Sequence, residues 1–391
     1  MAATTQSPAP GTNAGSPFYR PEHDEWRATL RRWVAREIEP NVEAWETARG
    51  FPRELYRKAA GVGLLALGFP EAYGGTPADI FMQTVSTEEL CRPAAGGVYA
   101  SLMSHGIGAP PIAAHGSEEL KRRVLPTILA GEKISALAIT EPSGGSDVAR
   151  LRTTARRDGD HYVVNGSKAF ITSGMRADFY TVAVRTGAEG IGGISLLLIE
   201  RDTAGFTRTP IEKMGWHASD TASLYFDDAR VPATNLIGAE NGGFPAIMHN
   251  FNAERMALAT MALATAQAAY DEALAYARTR ETFGKPLIAH QVIRHKFVEM
   301  ARQINAARAY RDAVAWRIHN GESPVADVCL LKVGATTVLE FCAREAAQVL
   351  GGASYQRGTK IERIYREVRV LAIGGGSEEV MRHLAARQLG L

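Results

Sequence analysis

Ala138-Ile139-Thr140-Glu141-Pro142-Ser143-Gly144-Gly145-Ser146-Asp147 follows a β-type run, Lys133 to Ile139, with a turn that no helix tolerates. The turn holds one proline, two glycines and several hydroxyl and carboxylate residues. Glycines let backbone N–H groups approach a ligand closely, and Thr140 and Ser146 add hydroxyl donors. Such a loop suits a phosphate or a polar heterocycle. Standing alone, it reads equally well as a polar surface turn.

Working outward, a second strand-like stretch follows, His161-Tyr162-Val163-Val164-Asn165-Gly166-Ser167-Lys168-Ala169-Phe170-Ile171-Thr172-Ser173-Gly174. A third loop comes after it, Lys213-Met214-Gly215-Trp216-His217-Ala218-Ser219-Asp220-Thr221. Residues 134–230 carry short β-rich runs (Phe179–Val184, Ile194–Ile199, Ala222–Phe226) between Gly and Asp turns, the pattern of a small sheet or barrel. On the N-terminal side, Pro21 to Ala130 is helical in pattern. Trp26, Leu30, Trp33, Val34 and Ile38 recur at helix spacing, and Ser117 is placed to cap a helix opening at Glu118. From Gly242 onward long helices return. Val292, Ile293, Phe297, Met300, Ile304, Ala307, Tyr310 and Val314 make one apolar stripe. Ser323-Pro324 predicts the start of the next helix, with Ser323 as cap.

Composition narrows the function. The chain has 391 residues and a net charge of +2. Its basic residues are scattered, so it makes no electrostatic case for nucleic acid. No apolar run approaches membrane-spanning length. Residues 1–17 read as a disordered tail, with no basic start and no hydrophobic segment of a signal peptide. Cys91, Cys329 and Cys342 are far apart and odd in number. They suit buried thiols in a reducing cytoplasm better than disulfides or a metal site. Gly61-Val62-Gly63 mimics a dinucleotide fingerprint but follows a helical stretch, and Asn165-Gly166-Ser167 matches a glycosylation sequon without a secretion signal.

In order and spacing, the three central segments resemble the middle domain of the acyl-CoA dehydrogenase family, and the resemblance runs from about residue 20 to the C-terminus. It implies an α+β fold: a helical N-terminal domain (18–133), a middle β domain of sheet or barrel form (134–241) and a C-terminal four-helix bundle (242–391). It implies FAD as cofactor. Thr140 would bond the pyrimidine edge of the flavin, Ser146 would lie near the pyrophosphate and the substrate, Phe170 would stack on the isoalloxazine, and Thr172 would sit close to N5. Many relatives have Trp at the position of Phe170. Arg280-Glu281-Thr282-Phe283-Gly284 resembles the family's Arg-x-x-Phe-Gly motif, and Gln348-Val349-Leu350-Gly351-Gly352 resembles Gln-x-x-Gly-Gly. In relatives Arg280, Phe283, Gln348 and Gly352 would reach a neighbouring subunit's FAD, which implies at least a dimer and, by family habit, a tetramer. The second motif departs from pattern at Ser354 and Gly358.

The implied reaction removes an α-proton from an acyl-CoA thioester while flavin N5 accepts the β-hydride. The base should be a carboxylate raised toward working pH by an apolar pocket, and the thioester carbonyl must be polarised by donors. Most relatives place a Glu just before a Gly-Thr near the C-terminus. Here the segment reads Leu371-Ala372-Ile373-Gly374-Gly375-Gly376-Ser377-Glu378-Glu379, and the slot falls on Gly375. Phe251-Asn252-Ala253-Glu254-Arg255 resembles the helix of the isovaleryl-CoA, long-chain and citronellyl-CoA dehydrogenase-like subgroup, which carries the base directly before the Arg. Glu254 is therefore the expected base. Gly375 keeps a role through its backbone N–H, while Phe251, Asn252, Arg255 and Gly374 lie toward the substrate. Ser377 is expected to cap the last helix near the flavin phosphates, and Glu379 to touch the adenosine ribose.

A small residue at Gly374 favours a branched or bulky acyl-CoA, isovaleryl or citronellyl among the candidates. A long straight chain is the nearest competitor, and glycines that serve only turn geometry are the alternative. Electrons are expected to pass to an electron-transfer flavoprotein. The rivals are an oxygen-using relative (an acyl-CoA oxidase or a two-component flavin monooxygenase) and a silent flavin-binding scaffold. Glu254 speaks against the monooxygenase, which needs no α-proton base.

Overall fold

The computed structural model describes residues 16–391. The expected tail, residues 1–17, lies outside that span apart from Ser16 and Pro17. Helices come first: α1 (Pro21–Glu37), α2 (Val42–Ala48), α3 (Glu54–Gly61), α4 (Ile80–Cys91), α5 (Gly96–Leu102), α6 (His105–Gly108), α7 (Pro110–His115) and α8 (Glu118–Leu129). Ser117 caps α8 as its position predicts, its Oγ accepting from the Leu120 N–H at 3.1 Å. Gly61 closes a helix, so the glycines there do not follow a strand.

Strands β1 (Ser135–Ala138), β2 (Thr154–Asp158), β3 (His161–Thr172), β4 (Phe179–Arg185), β5 (Ile194–Glu200), β6 (Phe206–Pro210), β7 (Thr221–Pro232) and β8 (Leu236–Ile237) form one sheet. Its order is β6-β7-β3-β2-β4-β5-β8, with β1 parallel to β4. The barrel alternative is corrected here, because the sheet stays open. Among the described residues β8 offers β5 only the pairs Leu196–Ile237 and Leu197–Leu236, too little to carry the sheet round. At the other end β6 stops at Pro210, whose missing N–H suits an edge. Phe179–Val184 and Ile194–Ile199 are buried at every position, which is why they read as mostly apolar runs, broken only by Thr181 and Ser195, rather than alternating ones.

The chain then turns helical: α9 (Gly243–Thr279), a small hairpin of β9 (Glu281–Thr282) and β10 (Lys285–Pro286), α10 (Gln291–His319), α11 (Val325–Leu350), α12 (Lys360–Ile373) and α13 (Glu378–Leu389). In α10 the predicted stripe buries Phe297, Met300, Ile304 and Val314, whereas Val292, in the first turn, is 65% exposed. The start of α11 also differs from expectation. Pro324 itself occupies the cap position with ψ 65°, and no side chain caps the helix there. Ser323 contributes only its carbonyl, which accepts from the Val325 N–H at 2.9 Å.

Two compact units result, and their boundary falls inside α9 between Glu254 and Arg255. One comprises residues 36–78 and 95–254. Its core joins Ile112, Leu125 and Ile128 of the helices to Phe179, Leu196 and Leu198 of the sheet, and to Ile247 at the start of α9. The other comprises the described residues up to Ala35 with Asp79–Ala94 and Arg255–Leu391. A buried ionic network ties its helices together. Arg311 of α10, 1% exposed, donates to Glu88 of α4 at 2.6 Å, to Asp312 at 2.8 Å and to the Tyr19 hydroxyl at 3.1 Å. Arg27 of α1 meets the other Glu88 oxygen at 2.7 Å. Burial alone would raise the Glu88 carboxyl, but Arg311 and Arg27 pull it down to about 2. Replacing Arg311 by Met leaves Glu88 buried without its main partner, and a loss of about 3–5 kcal/mol is expected, read as a lower thermal midpoint.

Candidate functional site

In the first unit the Thr140 loop is fixed from beneath. Lys168 of β3 is fully buried, and its Nζ reaches the Glu141 carboxylate at 2.8 Å and the Ile139 carbonyl at 3.1 Å. Glu141, 4% exposed, also accepts from the backbone N–H groups of Arg152 (2.6 Å) and Thr153 (2.9 Å). Burial by itself raises the Glu141 carboxyl. The Lys168 ammonium and the two amides more than offset that, and hold it below the ordinary carboxylate range. Glu141 and Gly144 close a tight turn through mutual backbone bonds of 3.2 and 3.0 Å. Ser143, Gly144, Gly145 and Ser146 are left exposed at its rim.

Beside this loop β3 carries a bulge. Its register against β7 shifts between Lys168 and Ile171, and Phe170 sits there at φ 60°, an uncommon conformation for an aromatic residue. The bulge breaks strand alternation. Lys168 and Ala169 are consecutive and both buried, so Phe170, two positions after Lys168, is 67% exposed instead of sharing its face. The Ala169 N–H donates to the Thr140 carbonyl at 2.9 Å, so the loop and the bulge are one structure. Thr172 pairs with Thr221 at the end of β3, partly exposed. Beneath this edge, Ser104 donates to the Ser135 carbonyl at 2.9 Å and accepts from Ser173 at 3.2 Å, and Ser101 bonds Ser219 at 2.9 Å. The Ser101–His105 segment is thus a buried support. Phe251 packs partly against the core of this unit, Asn252 is half-buried on α9, and Asn250 donates to the Ile107 carbonyl at 2.9 Å.

In the second unit the structure joins Arg255 to Gly375. Arg255 is 5% exposed, and its Nε donates to the Gly375 carbonyl at 3.3 Å. Gly375 and Gly376 adopt φ 67° and 105°, conformations that side chains resist. Gly374 does not share this need, at φ −66° and ψ 151°. Ser377 caps α13 as expected, its Oγ accepting from the Val380 N–H at 3.4 Å, and Glu379 lies exposed in the first turn. Arg280 is exposed where α9 ends. Phe283 occupies the tip of the β9–β10 hairpin at φ 51° and is 97% exposed. Gln348 and Gly352 are exposed at the end of α11. The departure at Ser354 has a visible effect, since its hydroxyl donates to the Gly351 carbonyl at 2.8 Å and closes a 3₁₀ turn.

Sequence reasoning missed Lys168, Glu141 and Lys332. A lysine inside a β-rich apolar run was the available signal for Lys168, and a lysine in the buried stretch of α11 was the signal for Lys332. The described residues contain no group of His, Cys, Asp and Glu arranged to hold a metal, and all three cysteines are buried and free. They contain no helix long and apolar enough to cross a membrane.

An exposed aromatic shelf held at positive φ, bonded to a glycine-rich loop with hydroxyls at its rim, fits a planar heterocycle that carries phosphates. A flavin is a group of that kind. Profiles described as "Acyl-CoA dehydrogenase, N-terminal domain", "middle domain" and "C-terminal domain" match residues 20–132, 136–229 and 241–390. The long-chain specific mitochondrial acyl-CoA dehydrogenase of Rattus norvegicus is 36% identical over 95% of this chain and 87% of its own. A probable acyl-CoA dehydrogenase from Mycobacterium abscessus superposes with a TM-score of 0.94 at 48% identity, covering 95% of this chain and 100% of the other. A glutaryl-CoA dehydrogenase from Mycobacterium smegmatis, solved in complex with FADH2, has a TM-score of 0.90 at 28% identity, covering 95% of each chain. The chain belongs to the acyl-CoA dehydrogenase family, and its cofactor is FAD.

Because Glu141 is held low, its contribution is present above the ordinary carboxylate pKa of about 4.3 and is lost as pH falls through the folded value. Acid titration is therefore expected to release FAD, followed by flavin fluorescence, below that range. Glu141→Gln, which leaves the buried Lys168 ammonium short of its anion, is expected to cost about 3–5 kcal/mol and to release FAD at neutral pH.

Proposed function

We propose that Glu254 is the α-proton base of this acyl-CoA dehydrogenase, with the Gly375 N–H as a backbone donor to the thioester carbonyl. The observation that carries this reading is the bond from Arg255 to the Gly375 carbonyl. It ties the residue next to Glu254 in sequence to the turn where most relatives keep their base. Gly375 has no side chain to act, and its φ of 67° disfavours one. A carboxylate on α9 then takes the proton, while the turn supplies only the amide.

Thr140, Ser146, Phe170 and Thr172 would hold FAD in one unit. Arg280, Phe283, Gln348, Gly352, Ser377 and Glu379 would contact FAD in an assembly of at least two copies, with a tetramer favoured. Bound FAD supplies the acceptor for the β-hydride. Protein groups do the rest: Glu254 holds the α-proton and donors polarise the carbonyl. The exposed Phe283 supports the oligomer, since a bare aromatic on a hairpin tip suits a partner surface. Electron-transfer flavoprotein is the proposed acceptor and the cytoplasm the proposed compartment, with domains at 18–133, 134–241 and 242–391.

For the substrate, Gly374 decides. Its backbone is ordinary, and an added Cβ would meet only the Val370 carbonyl, at 3.2 Å. Torsion does not require the glycine, although a side chain there would press on that carbonyl. The missing side chain therefore reads partly as space, which supports a branched or bulky acyl-CoA and the isovaleryl, citronellyl and long-chain subgroup.

Glu254→Gln is expected to keep FAD and to bind acyl-CoA while flavin reduction slows by about 10²–10⁴-fold in anaerobic stopped-flow. Near-native reduction would remove Glu254 as base. Gly374→Tyr is expected to lower kcat/KM for a branched acyl-CoA by about tenfold or more relative to a straight one, and an unchanged ratio would refute the pocket reading.

A further inference from the structure

The turn Gly374–Gly376 has no side chains with which to hold itself, and two of its three residues lie at positive φ. Two cations from neighbouring helices grip its consecutive carbonyls. Arg255 of α9 donates to Gly375 O at 3.3 Å. Lys332 of α11, fully buried, donates from Nζ to Gly376 O at 2.6 Å. An apolar cluster lies one turn away on α11 and α13. Cys329, one turn earlier on α11, packs with Met381 and Ala385 of α13, and Met381 Cε lies 2.4 Å from where a Cβ on Gly376 would stand. An ammonium in such a place is costly unless it is bonded, and the reaction gives it no proton to move.

We propose that Lys332 is a positioning residue for acyl-CoA oxidation. By holding the Gly376 carbonyl while Arg255 holds that of Gly375, it fixes the two peptide planes that follow the Gly375 Cα. The turn is thereby held from its C-terminal side, which limits the freedom of the preceding plane, the one that carries the Gly375 N–H offered to the thioester carbonyl. A donor lowers the cost of α-proton removal only if it is already in place when charge develops on that oxygen. The inference rests on the reading in which Gly375 is the backbone donor.

The test compares the wild-type holoenzyme with Lys332→Met. Three quantities are read: bound FAD and thermal midpoint, kcat and KM with the best acyl-CoA, and the apparent pKa of a bound acyl-CoA analogue. That analogue carries a sulfur next to the α-carbon, which acidifies the α-proton, and its bound anion is followed by long-wavelength absorption against the flavin. Lys332→Met is expected to keep FAD, to lose about tenfold or more in kcat with KM within about threefold, and to raise the analogue's pKa by about one unit, the same tenfold. Native kcat and native analogue ionisation overturn the proposal. So does a lowered midpoint or FAD content with unmoved analogue ionisation, which marks a merely structural lysine. If Lys332→Met does not fold, Lys332→Gln, one bond shorter than lysine and so short of the Gly376 carbonyl, is judged by the same readouts. A wild-type protein that no acyl-CoA reduces and that does not ionise the analogue overturns the dehydrogenase reading, and the proposal with it. A reducible wild type beside an unaffected variant overturns the proposal alone.

Discussion

Glycine-rich backbone can lie close to a ligand because it has no side chains, and for the same reason it cannot hold its own shape. This chain meets that constraint by the same means in each of its two units: a buried cation bonded to the carbonyls of the loop. Lys168 grips the Ile139 carbonyl and the Glu141 carboxylate under the Thr140 loop. Arg255 and Lys332 grip Gly375 and Gly376. Charged donors suit the task, since their bonds are stronger than neutral ones and low dielectric raises their worth further. The desolvation they suffer is the cost of an ordered site.

The two cases differ in what the cations hold on the loop itself. Beneath the Thr140 loop the pair is local, because Glu141 belongs to the loop itself, and its anion also collects the amides of Arg152 and Thr153. At the glycine turn the cations meet carbonyl dipoles in succession. Elsewhere in the second unit, around Arg311, carboxylates and guanidiniums neutralise each other and fasten helices rather than loops. Burial of charge thus serves two ends here, and only what the charge is bonded to tells them apart.

Much of this was legible in the chain. The order helices, strands, helices follows from periodicity, and Ser117 and Ser377 cap their helices as their positions suggest. The run of glycines that needs support could be read from Leu371 to Glu379. What stayed hidden depended on departures from regular geometry. Phe170 is exposed although Lys168, two positions before it, is buried, because the bulge between them switches faces, and a strand pattern encodes only regular alternation. The openness of the sheet depends on how short β8 is, which no composition reveals. Pro324 displaced the cap from Ser323 by one position through its own backbone angles. The partners of Lys168, 27 and 29 positions back along the chain, and of Lys332, 44 positions ahead, are separations across which spacing rules carry no information.

The three glycines of the turn also differ in what descent could do with them. Gly375 and Gly376 are locked by torsion, and Gly376 again by Met381, so most codon changes there disturb the backbone before they alter the pocket. Gly374 is free of both restraints. If Gly374 faces the acyl group as proposed, a lineage or a combinatorial library could vary that group at this position with less disturbance of the turn than at either of its neighbours.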